Sequence, residues 1–511
     1  MKKQISALFI LCAALLQGQT VDDVGLFQNR NLHGSPRFSA MGGAFTALGN
    51  DPASYAINPA GAAVNRHSAL SFSLGFNDYR GNYSQFYNTE GTQANFNVLF
   101  ENFGINLMMN KDGEDRFSLA ITTTKLADFN RNFNIDGVFN EYTLGEYWAD
   151  RFENVNTDFI SDDAFAAWDS YLLVSDSTGA IIPDGFAYGE VVNNQLVANS
   201  TLRYVANQDG SLNETNIVLA LDKGHKWYYG LSFGIPTLNF RREEFITEYN
   251  LPFSNDPTYS AREYTYRRLN DINASGFNLK LGFIYKPIDE IRIAASYQSP
   301  SWYTVNQNYE VDVSTSFNQE PEPGVGTFVE GSTITTGNYS YRLRTPAIYR
   351  AGIASVIGKF LILSVDYQFQ NQSNQRLYTN NNSIGIDESF LQSEYQPALN
   401  TMYRTSRHTL SAGLEVKLNN FFIRGGYRQD ESIYRDEFVN TTAGGLQAIS
   451  GGIGYRRGPW TFDLSLVNSQ RDRNYALYRG LDPNNEAFEV LDDLRMQEVT
   501  NNIIAGVSVK F

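Results

Sequence analysis

The sequence has 511 residues, a formal net charge of −15, 42% hydrophobic residues, 19% charged residues and 14% aromatic residues. This composition excludes a disordered chain and a coiled coil, and it favours β-structure, because aromatic side chains suit the pleated surface of a sheet. The negative charge also excludes a general nucleic-acid binder, which needs a basic surface.

The first eighteen residues have the pattern of an export signal. Lys2 and Lys3 precede an apolar run, and Gly18 supplies a small residue at the expected cleavage point. The single cysteine, Cys12, lies within that run, so the mature chain is expected to contain no thiol. We predict a signal peptide over residues 1–18.

Residues 19–67 lack alternation and are rich in small side chains. Asp51 and Asn58 each precede a proline, so each is expected to cap a short helical turn. We predict that this segment is a plug, or hatch, inside a barrel. Its large side chains are candidates for contacting a ligand or packing a gate: Phe38, Met41, Phe45, Leu48 and Tyr55. Asn58, Pro59, Ala60 and Gly61 are predicted to maintain the hatch fold. Plug packing alone remains an open alternative for the whole set.

Short runs with strict alternation follow from residue 68 to the C-terminus. In 360–370, for example, Leu363 and Val365 share one face while Ser364 and Asp366 share the other, which is the pattern of a strand. Beyond the signal, no apolar run approaches the roughly 20 residues of a membrane-spanning helix. Fourteen such strands can be assigned over 68–511. The predicted fold class is therefore all-β, a transmembrane antiparallel β-barrel with an N-terminal hatch in its lumen.

The connections alternate between tight turns, such as 222–225 and 456–459, and long polar stretches. The long stretches are predicted near 126–212, 238–263, 308–335, 373–401, 433–443 and 471–498. Short periplasmic turns and long outer loops are typical of outer-membrane barrels. The sequence therefore predicts location in a bacterial outer membrane, in contact with its lipid and lipopolysaccharide.

Charged side chains fall on the strand face that is predicted to avoid lipid. They are Arg292, Asp366, Glu415, Lys417, Arg424, Arg428 and Asp463. These charges could pair across the lumen, line a conduit or anchor the plug. Pairing is the favoured interpretation, because charges in a confined interior need partners.

The longest predicted loop, 126–212, contains an acidic segment with apolar residues at helical spacing. Phe165, Trp168, Tyr171 and Leu172 are candidates for an outer apolar capture site. The alternative is that they pack the loop onto its neighbours, and this is favoured because so long a loop needs a core of its own.

Sequence signals for chemistry are weak. Residues 230–234 match G-x-S-x-G, but the match lies within an alternating strand rather than at the sharp strand-to-helix turn that a nucleophile requires. The four histidines are isolated. We therefore predict no catalytic residues, no metal and no cofactor. The chain ends on Phe511 in an alternating strand, which resembles the signal that delivers barrels to their assembly machinery.

Three stretches of the hatch carry a family resemblance: Ser39–Ala47 (SAMGGAFTA), Asn50-Asp51-Pro52 and Asn58-Pro59-Ala60-Gly61. Strand residues at 291–300, 345–350 and 423–427 add to it. The sequence resembles the FadL-type long-chain fatty-acid channels of Gram-negative outer membranes, in the form common in Bacteroidetes. The resemblance extends over nearly the whole mature chain and is poorest over 126–212.

This resemblance implies a fourteen-stranded barrel for passive uptake of hydrophobic compounds, long-chain fatty acids above all, and no enzymatic activity. The ligand would be captured outside, enter a lumen pocket and leave through a lateral wall opening after the hatch shifts. Asn95–Asn106 is the expected weak stretch of the wall. An alternative remains open, because some FadL-like barrels act as partners or shuttles in protein secretion.

Overall fold

The computed structural model describes residues 23–86, 89–109, 115–139, 144–145, 148, 152, 155–157, 160–186, 190–192, 195–197, 200–251, 261–332, 334–358, 360–380, 391–439, 443–475 and 494–511. The signal predicted over 1–18 lies outside these residues. No helix in the described ranges is long and apolar enough to cross a membrane.

Fourteen antiparallel strands form a closed barrel. In chain order, β1 to β14 are Ala69–Phe86, Thr89–Met109, Asp115–Asp128 with Arg131–Phe139, Ser200–Lys223, Trp227–Tyr249, Ala261–Ile288, Ile291–Gln298 with Trp302–Phe317, Ile334–Arg344 with Ile348–Ile357, Leu361–Gln370 with Arg376–Thr379, Arg407–Leu418, Phe421–Asp430, Leu446–Arg457, Trp460–Tyr475 and Leu494–Lys510. Each strand pairs with its chain neighbours, and β14 pairs with β1 from Ala69↔Lys510 to Tyr83↔Met496. Closure gives every described barrel strand a partner on both sides, and the predicted fold class is confirmed.

An outward apolar belt surrounds one half of the barrel. Alternation places every second side chain of a strand outside, and in this half those side chains are large, hydrophobic and exposed. Examples from around the barrel are Phe76, Phe103, Leu219, Phe233, Leu281, Ile353, Leu414, Ile453, Leu464 and Ile503. A water-soluble protein does not expose such a surface, so the belt is the membrane-facing surface.

In the half of the barrel beyond the belt, several strands are longer than the sequence predicts. β6 has 28 residues, whereas a membrane needs about 9–11 residues per strand. The long stretches predicted at 126–212, 238–263, 308–335, 373–401 and 471–498 are consequently too wide, because strands β3 to β7, β9, β13 and β14 continue into them. On the outer surface of this taller part, Arg203 and Asp136 form an exposed ion pair at 2.8 Å. These strand ends stand in water, so their outer faces are polar and the hydrophobic alternation disappears.

The two ends of the barrel differ in their connections. At one end, called the hatch end, tight turns join β4 to β5, β6 to β7, β8 to β9, β10 to β11 and β12 to β13. Asn419 and Gly458 adopt positive φ in two of these turns, a conformation that asparagine and glycine tolerate best. The opposite, loop end has the longer connections, except that β1 and β2 form a hairpin closed by the pair Phe86↔Thr89.

Short helices complete the fold. The hatch contains α1 (Asp23–Leu26), α2 (Pro36–Ala40) and two 3-10 helices, Pro52–Ala56 and Pro59–Val64. The loop-end connections contain α3 (Asp162–Asp169), α4 (Gln396–Met402) and α5 (Asp436–Val439). The hatch lies inside the barrel and contacts β3, β4, β5 and β6 through its second 3-10 helix.

Three apolar clusters fill the described interior. The hatch cluster joins hatch residues to wall residues such as Ala220 and Ile504. The lumen cluster surrounds Val24 and Phe27 of the hatch, with Tyr303 and Tyr341 among its wall residues. The mouth cluster joins α3 to the tall strands at the loop end, around the fully buried Trp148. From the hatch end to the loop end, the interior thus contains the hatch cluster, the lumen cluster and the mouth cluster.

Candidate functional site

Three capping side chains establish the local fold of the hatch. Ser35 starts α2 by accepting a hydrogen bond from the amide three residues later, at 3.1 Å. Asp51 and Asn58 each accept one from the amide two residues later, at 3.0 and 3.1 Å. A proline follows each cap, and its restricted φ suits the first helical position. The two helical turns predicted at Asp51 and Asn58 are confirmed.

The predicted gate residues meet in the core of the hatch. All five are buried: Phe38, Met41, Phe45, Leu48 and Tyr55. The rings of Phe38 and Phe45 lie 5.4 Å apart, and the Arg37 guanidinium lies 5.2 Å from the Phe45 ring centroid. The Tyr55 hydroxyl accepts a hydrogen bond from Asn65. The structure therefore joins these residues in one plug core, and their role toward a ligand stays a prediction.

Asn58 holds two parts of the hatch together and reaches the wall. Its side-chain amide donates to the Thr46 carbonyl at 2.7 Å and to the Phe283 carbonyl of β6 at 3.4 Å. Pro59 and the fully buried Ala60 follow it in the second 3-10 helix. Gly61 accepts from the Asn50 amide at 3.0 Å. These contacts fit the structural role predicted for Asn58, Pro59, Ala60 and Gly61.

Wall glycines make room for the hatch. A Cβ at Gly230 of β5 would lie 2.2 Å from the Ala60 nitrogen, and a Cβ at Gly426 of β11 would lie 2.1 Å from the Gly42 nitrogen. No side chain fits at either distance. Gly230 belongs to the G-x-S-x-G match, and Ser232 of that match is buried within β5. The motif is therefore strand, as predicted, and its first glycine is explained by the hatch contact.

Several of the predicted lumen charges anchor the hatch. Glu415 binds Arg37 of the hatch at 2.9 Å and Arg424 of β11 at 2.6 Å. Arg424 also binds Asp463 of β13 at 2.7 Å. This network connects the hatch to three strands. The same ion pairs therefore neutralise the lumen charges and anchor the plug.

The remaining members of the charged set behave differently from one another. Asp366 accepts the Thr46 amide of the hatch at 2.6 Å, and Arg292 donates to the Leu48 carbonyl at 2.7 Å. Arg428 pairs with Asp430 on the same strand at 3.0 Å. Lys417 is exposed at the hatch end. Direct binding to the hatch therefore involves Asp366 and Arg292 of these four residues.

A group of cations lies beside the lumen cluster, and the sequence analysis did not predict it. Arg30 of the hatch interacts electrostatically with Arg350 of β8 and with the buried ion pair of Glu214 and Lys280. Arg407 of β10 also lies within electrostatic range of Arg30. Among the described residues, Arg30, Arg350 and Arg407 form no direct ion pair with a carboxylate. Carboxylates also lie within electrostatic range, Asp366 of Arg350 and Asp430 of Arg407. This level of the lumen therefore contains charges of both signs, and the three arginines are its cations without a direct ion pair in the described residues.

Unused donors and aromatic rings accompany these cations. Nε of Arg350 donates to Gln368 at 2.9 Å, but its buried Nη1 has no partner in the described structure. The rings of Phe27 and Tyr303 lie 4.8 Å apart in the adjoining lumen cluster. An apolar body with an anionic head matches this arrangement. The residues come from distant strands and the hatch, so no sequence motif marks them.

The predicted capture residues lie on and just after α3, the helix predicted in the long loop. Leu172 is fully buried, whereas Phe165, Trp168 and Tyr171 are partly buried and pack against the mouth cluster. Trp168 also donates to Ser175 at 3.0 Å. Burial, with Asp163 beside it, raises the pKa of Asp162 at the start of α3 to about 6. These are the packing contacts of the alternative interpretation, and the capture role stays a prediction.

The barrel wall contains a seam between β2 and β3. Asn102–Met109 pair in register with Phe117–Thr124. Farther toward the loop end, the described residues show no such ladder between 91–100 of β2 and Arg131–Phe139 of β3, although the latter pairs with β4. We call this unladdered region the seam. It overlaps the predicted weak stretch Asn95–Asn106 at residues 95–100, whereas residues 102–106 are paired.

Side chains close the seam. Gln93 donates to the Asn134 carbonyl at 3.0 Å and accepts from the Asn134 amide at 3.2 Å. Asn95 donates to the Asn132 carbonyl at 3.0 Å. Backbone groups of β3 are therefore satisfied by two partly exposed amide side chains. Side chains, rather than ladder pairs of the backbone, therefore join the described strands here.

A β-bulge at the lower end of the seam contacts the hatch. Glu101 is the extra residue in β2, because Ser73 pairs with Asn102 and Leu74 pairs with Phe100. The buried Glu101 carboxylate lies 3.0 Å from Nδ1 of His33 in the hatch. It also accepts the Gly34 amide at 3.2 Å and the Asn502 side chain at 2.6 Å. The Glu101 carboxylate therefore binds the hatch from the bulge at which the seam ends.

No family model matches the chain, and no curated protein matches its sequence. Solved structures do match. The P. putida toluene transporter TodX aligns with a TM-score of 0.52 and 12% identity, over 94% of this chain and 99% of that one. The chain has the FadL-type fold. A Pseudomonas aeruginosa FadL homologue aligns with a TM-score of 0.50 and 11% identity, with the same coverage. The resemblance seen in the hatch sequence is confirmed at the level of the fold.

The barrel has several surfaces that can contact a ligand. Within the described residues, no group of three or more histidine, cysteine or acidic side chains is placed to hold a metal ion. The features that can act on a ligand are the mouth cluster, the lumen cluster with its cations, the hatch and the seam. From the loop end the order is mouth cluster, lumen cluster and hatch. The seam runs beside the first two, from the level of Phe129 in the lumen cluster to that of Phe133 and Ile135 in the mouth cluster.

Proposed function

We propose that this FadL-type barrel is an outer-membrane channel for passive uptake of hydrophobic compounds, with long-chain fatty acids as its cargo. The observation that carries the proposal is the seam: a stretch of wall closed by side chains, beside a lumen that the hatch blocks. The lower end of the seam adjoins the apolar belt at the exposed Val98 and Phe100 of β2, whereas its upper end at Asp136 stands in water. An opening at the belt suits an apolar cargo, and a pore for polar solutes has no use for one. The similarity to a toluene transporter supports a hydrophobic cargo.

In the proposed route, cargo first meets apolar side chains at the loop end, including Phe165, Trp168 and Tyr171. It then enters the lumen beside Phe27 and Tyr303, where its body contacts aromatic rings. The hatch shifts, the seam opens, and the cargo leaves sideways. No energy source is required, because the cargo moves down its own gradient.

The lumen arginines that form no direct ion pair favour a fatty acid over a plain hydrocarbon. A carboxylate head can accept hydrogen bonds from Arg350, whose Nη1 has no described partner, and it offsets the charge of Arg30. Charge-assisted hydrogen bonds are about twice as strong as neutral ones. A hydrocarbon would leave these buried donors unsatisfied. Palmitate is therefore the expected cargo and toluene the weaker one.

The surroundings of the channel follow from the same placement. The apolar belt faces outer-membrane lipid, and the loop end faces lipopolysaccharide. Phe511, 58% exposed after the end of β14, is the proposed contact for the barrel-assembly machinery. The hatch end is then the periplasmic end.

The decisive experiment measures uptake of radiolabelled palmitate and toluene while the seam is locked. Cysteines replace Gln93 and Asn134 in a Cys12→Ala background, and a short bis-methanethiosulfonate linker joins them reversibly. Uptake of palmitate should stop on linking and recover with reductant. The control pair, Asn82→Cys with Thr92→Cys, links residues that already pair in the β1–β2 ladder, and it should leave uptake unchanged.

Two outcomes would contradict the proposal. Palmitate uptake that continues through a linked seam would reject lateral release. Absence of both palmitate uptake and palmitate binding by the folded protein would reject the cargo assignment and favour the alternative, a partner or shuttle in protein secretion.

A further inference from the structure

A cavity of about 360 Å3 lies at the hatch end, between the hatch and the wall. The hatch contributes Arg37 and Arg66, and the wall contributes Arg292 of β7 and Lys510 of β14. A neighbouring cavity of about 240 Å3 shares Arg37 and Lys510 with it. Both lie at the end of the barrel away from the lumen cluster, with the hatch between.

The charge of the larger cavity is one-sided. Four cations line it, and no aspartate or glutamate is among its described lining residues. The neighbouring cavity has carboxylates, but Glu415 and Asp463 are engaged by arginines at 2.6–2.9 Å. Its Asp51 is engaged by the Ser35 hydroxyl at 2.7 Å. Glu415 therefore already pairs with Arg37 of the larger cavity, and Asp51 keeps its charge. Arg66, Arg292 and Lys510 form no ion pair with a carboxylate in the part of the chain that the structure describes.

Hydrogen-bond donors are also left over. Arg292 uses Nη1 to hold the Leu48 carbonyl at 2.7 Å, but its buried Nε has no partner in the described structure. Arg456, which lines the neighbouring cavity, has a buried Nε in the same condition. Arginine stays charged in proteins and has no acceptor atom. An anion is the group that satisfies these donors.

The larger cavity also has an apolar side. Leu48 and Val64 come from the hatch, and Val356 and Ile362 come from β8 and β9. A bare inorganic anion would leave this surface against water. The volume lies within the usual range of about 300–1,000 Å3 for small-molecule sites. The cavity therefore suits an anion that carries an apolar tail of moderate length.

We propose that this hatch-end cavity binds an amphiphilic anion, with its head among Arg37, Arg66, Arg292 and Lys510 and its tail against the apolar wall. The site lies beyond the cargo route proposed above and does not depend on it. Two of its cations belong to the hatch and two to the barrel, so a bound anion relieves their repulsion and joins the two parts. Occupancy stabilises the seated hatch.

Binding is tested with decanoate as the probe on full-length protein in an uncharged detergent. His67, exposed at the cavity rim, is changed to cysteine in the Cys12→Ala background and labelled with bimane, so the signal reports this cavity rather than the lumen. We expect a saturable spectral shift with decanoate and none with decanol at the same concentration. Inorganic phosphate should compete only weakly, because it has no tail.

Charge variants supply the matched comparison. Arg66→Gln should weaken decanoate binding at least about threefold, and Arg66→Glu should weaken it more, as expected for a partly exposed charge pair. Lys417→Gln removes an exposed lysine from the same end of the barrel but not from this cavity, so it should change nothing. Arg66 is exposed, so these variants are expected to fold.

The inference is overturned if decanoate gives no saturable shift, if decanol gives the same shift, or if phosphate competes as well as decanoate. It is also overturned if Arg66→Gln and Lys417→Gln behave alike. Because the reporter sits outside the cargo route, these results do not depend on whether palmitate uptake occurs.

Discussion

The hatch and the seam both have to move in the proposed route, but they are held by different forces. The hatch is joined to the wall by buried ion pairs, by tight backbone contacts at Gly230 and Gly426, and by an apolar core. Across the seam, the described residues form three hydrogen bonds that involve the partly exposed side chains of Gln93 and Asn95. The barrier to passage therefore lies in the hatch, and the seam follows at low cost.

The largest expected effect is loss of the hatch core. Phe45→Ala should cost about 3–5 kcal/mol of hatch stability, because Phe45 is fully buried and its removal leaves a cavity. Hydrogen exchange of hatch amides should accelerate, and conductance of the barrel in planar bilayers should rise. Phe328→Ala removes a ring that is 61% exposed and should change neither. Unchanged hatch protection in Phe45→Ala would show that the hatch is held chiefly by its polar contacts.

A smaller effect is expected where the hatch touches the wall. Gly426→Ala should destabilise the seated hatch by about 1–3 kcal/mol, because its Cβ would fall 2.1 Å from a hatch nitrogen. The neighbouring Gly425→Ala is the control, since its Cβ would lie 3.8 Å from the nearest atom. Limited proteolysis of the hatch would measure the difference. Equal susceptibility of the two variants would contradict the close contact.

The seam should respond locally and weakly. Gln93→Ala with Asn95→Ala should cost less than about 1 kcal/mol each, because both amides are partly exposed and lose ordinary hydrogen bonds. Exchange of the Asn134 amide should nevertheless accelerate, and palmitate uptake should rise slightly. Asn82→Ala, in the laddered β1–β2 hairpin, should leave Asn134 unaffected. Full protection of Asn134 in the double variant would show that the seam has a second closure.

The smallest effect concerns pH at the loop end, away from both hatch and seam. Burial raises the pKa of Asp162 to about 6, above its value of about 3.9 in an unfolded chain. The folded loop therefore binds this proton more tightly, and its stability falls as pH rises from about 4 to about 6. Exchange in α3, corrected for intrinsic rates, should increase over that range, and Asp162→Asn should abolish the dependence. A dependence that survives in the variant would assign it to another group.

The barrel and the hatch could be predicted from the sequence because their signals are local. Alternation in 360–370 and at other strands shows which face meets lipid, and Asp51-Pro52 and Asn58-Pro59 show where helical turns begin. The strand ends beyond the belt could not be predicted from hydrophobic alternation, because water surrounds their outer faces. Polar side chains such as Arg203 and Asp136 lie on the outer face of these strands, so hydrophobic and polar residues do not alternate in the sequence. Buried and exposed positions nevertheless alternate in the structure.

The candidate site was predictable only in part. Phe45 and Met41 stand out as large side chains among small ones, and the structure places them in one core. Arg30, Arg350 and Arg407 give no such signal, because each is a single basic residue in its own segment. The seam depends on the register of β2 against β3, including the bulge at Glu101, and single-strand patterns carry no register.

The sequence by itself determined the strand faces, the capped hatch turns and the class of barrel, because these follow from the chemistry of neighbouring residues. The tertiary structure decided which charges meet, where the wall lacks a ladder and which cations stay unpaired. Those features depend on closure of fourteen strands around a hatch, which brings together residues as distant as Glu101 and Asn502. Local chemistry selects the elements, and closure selects their partners.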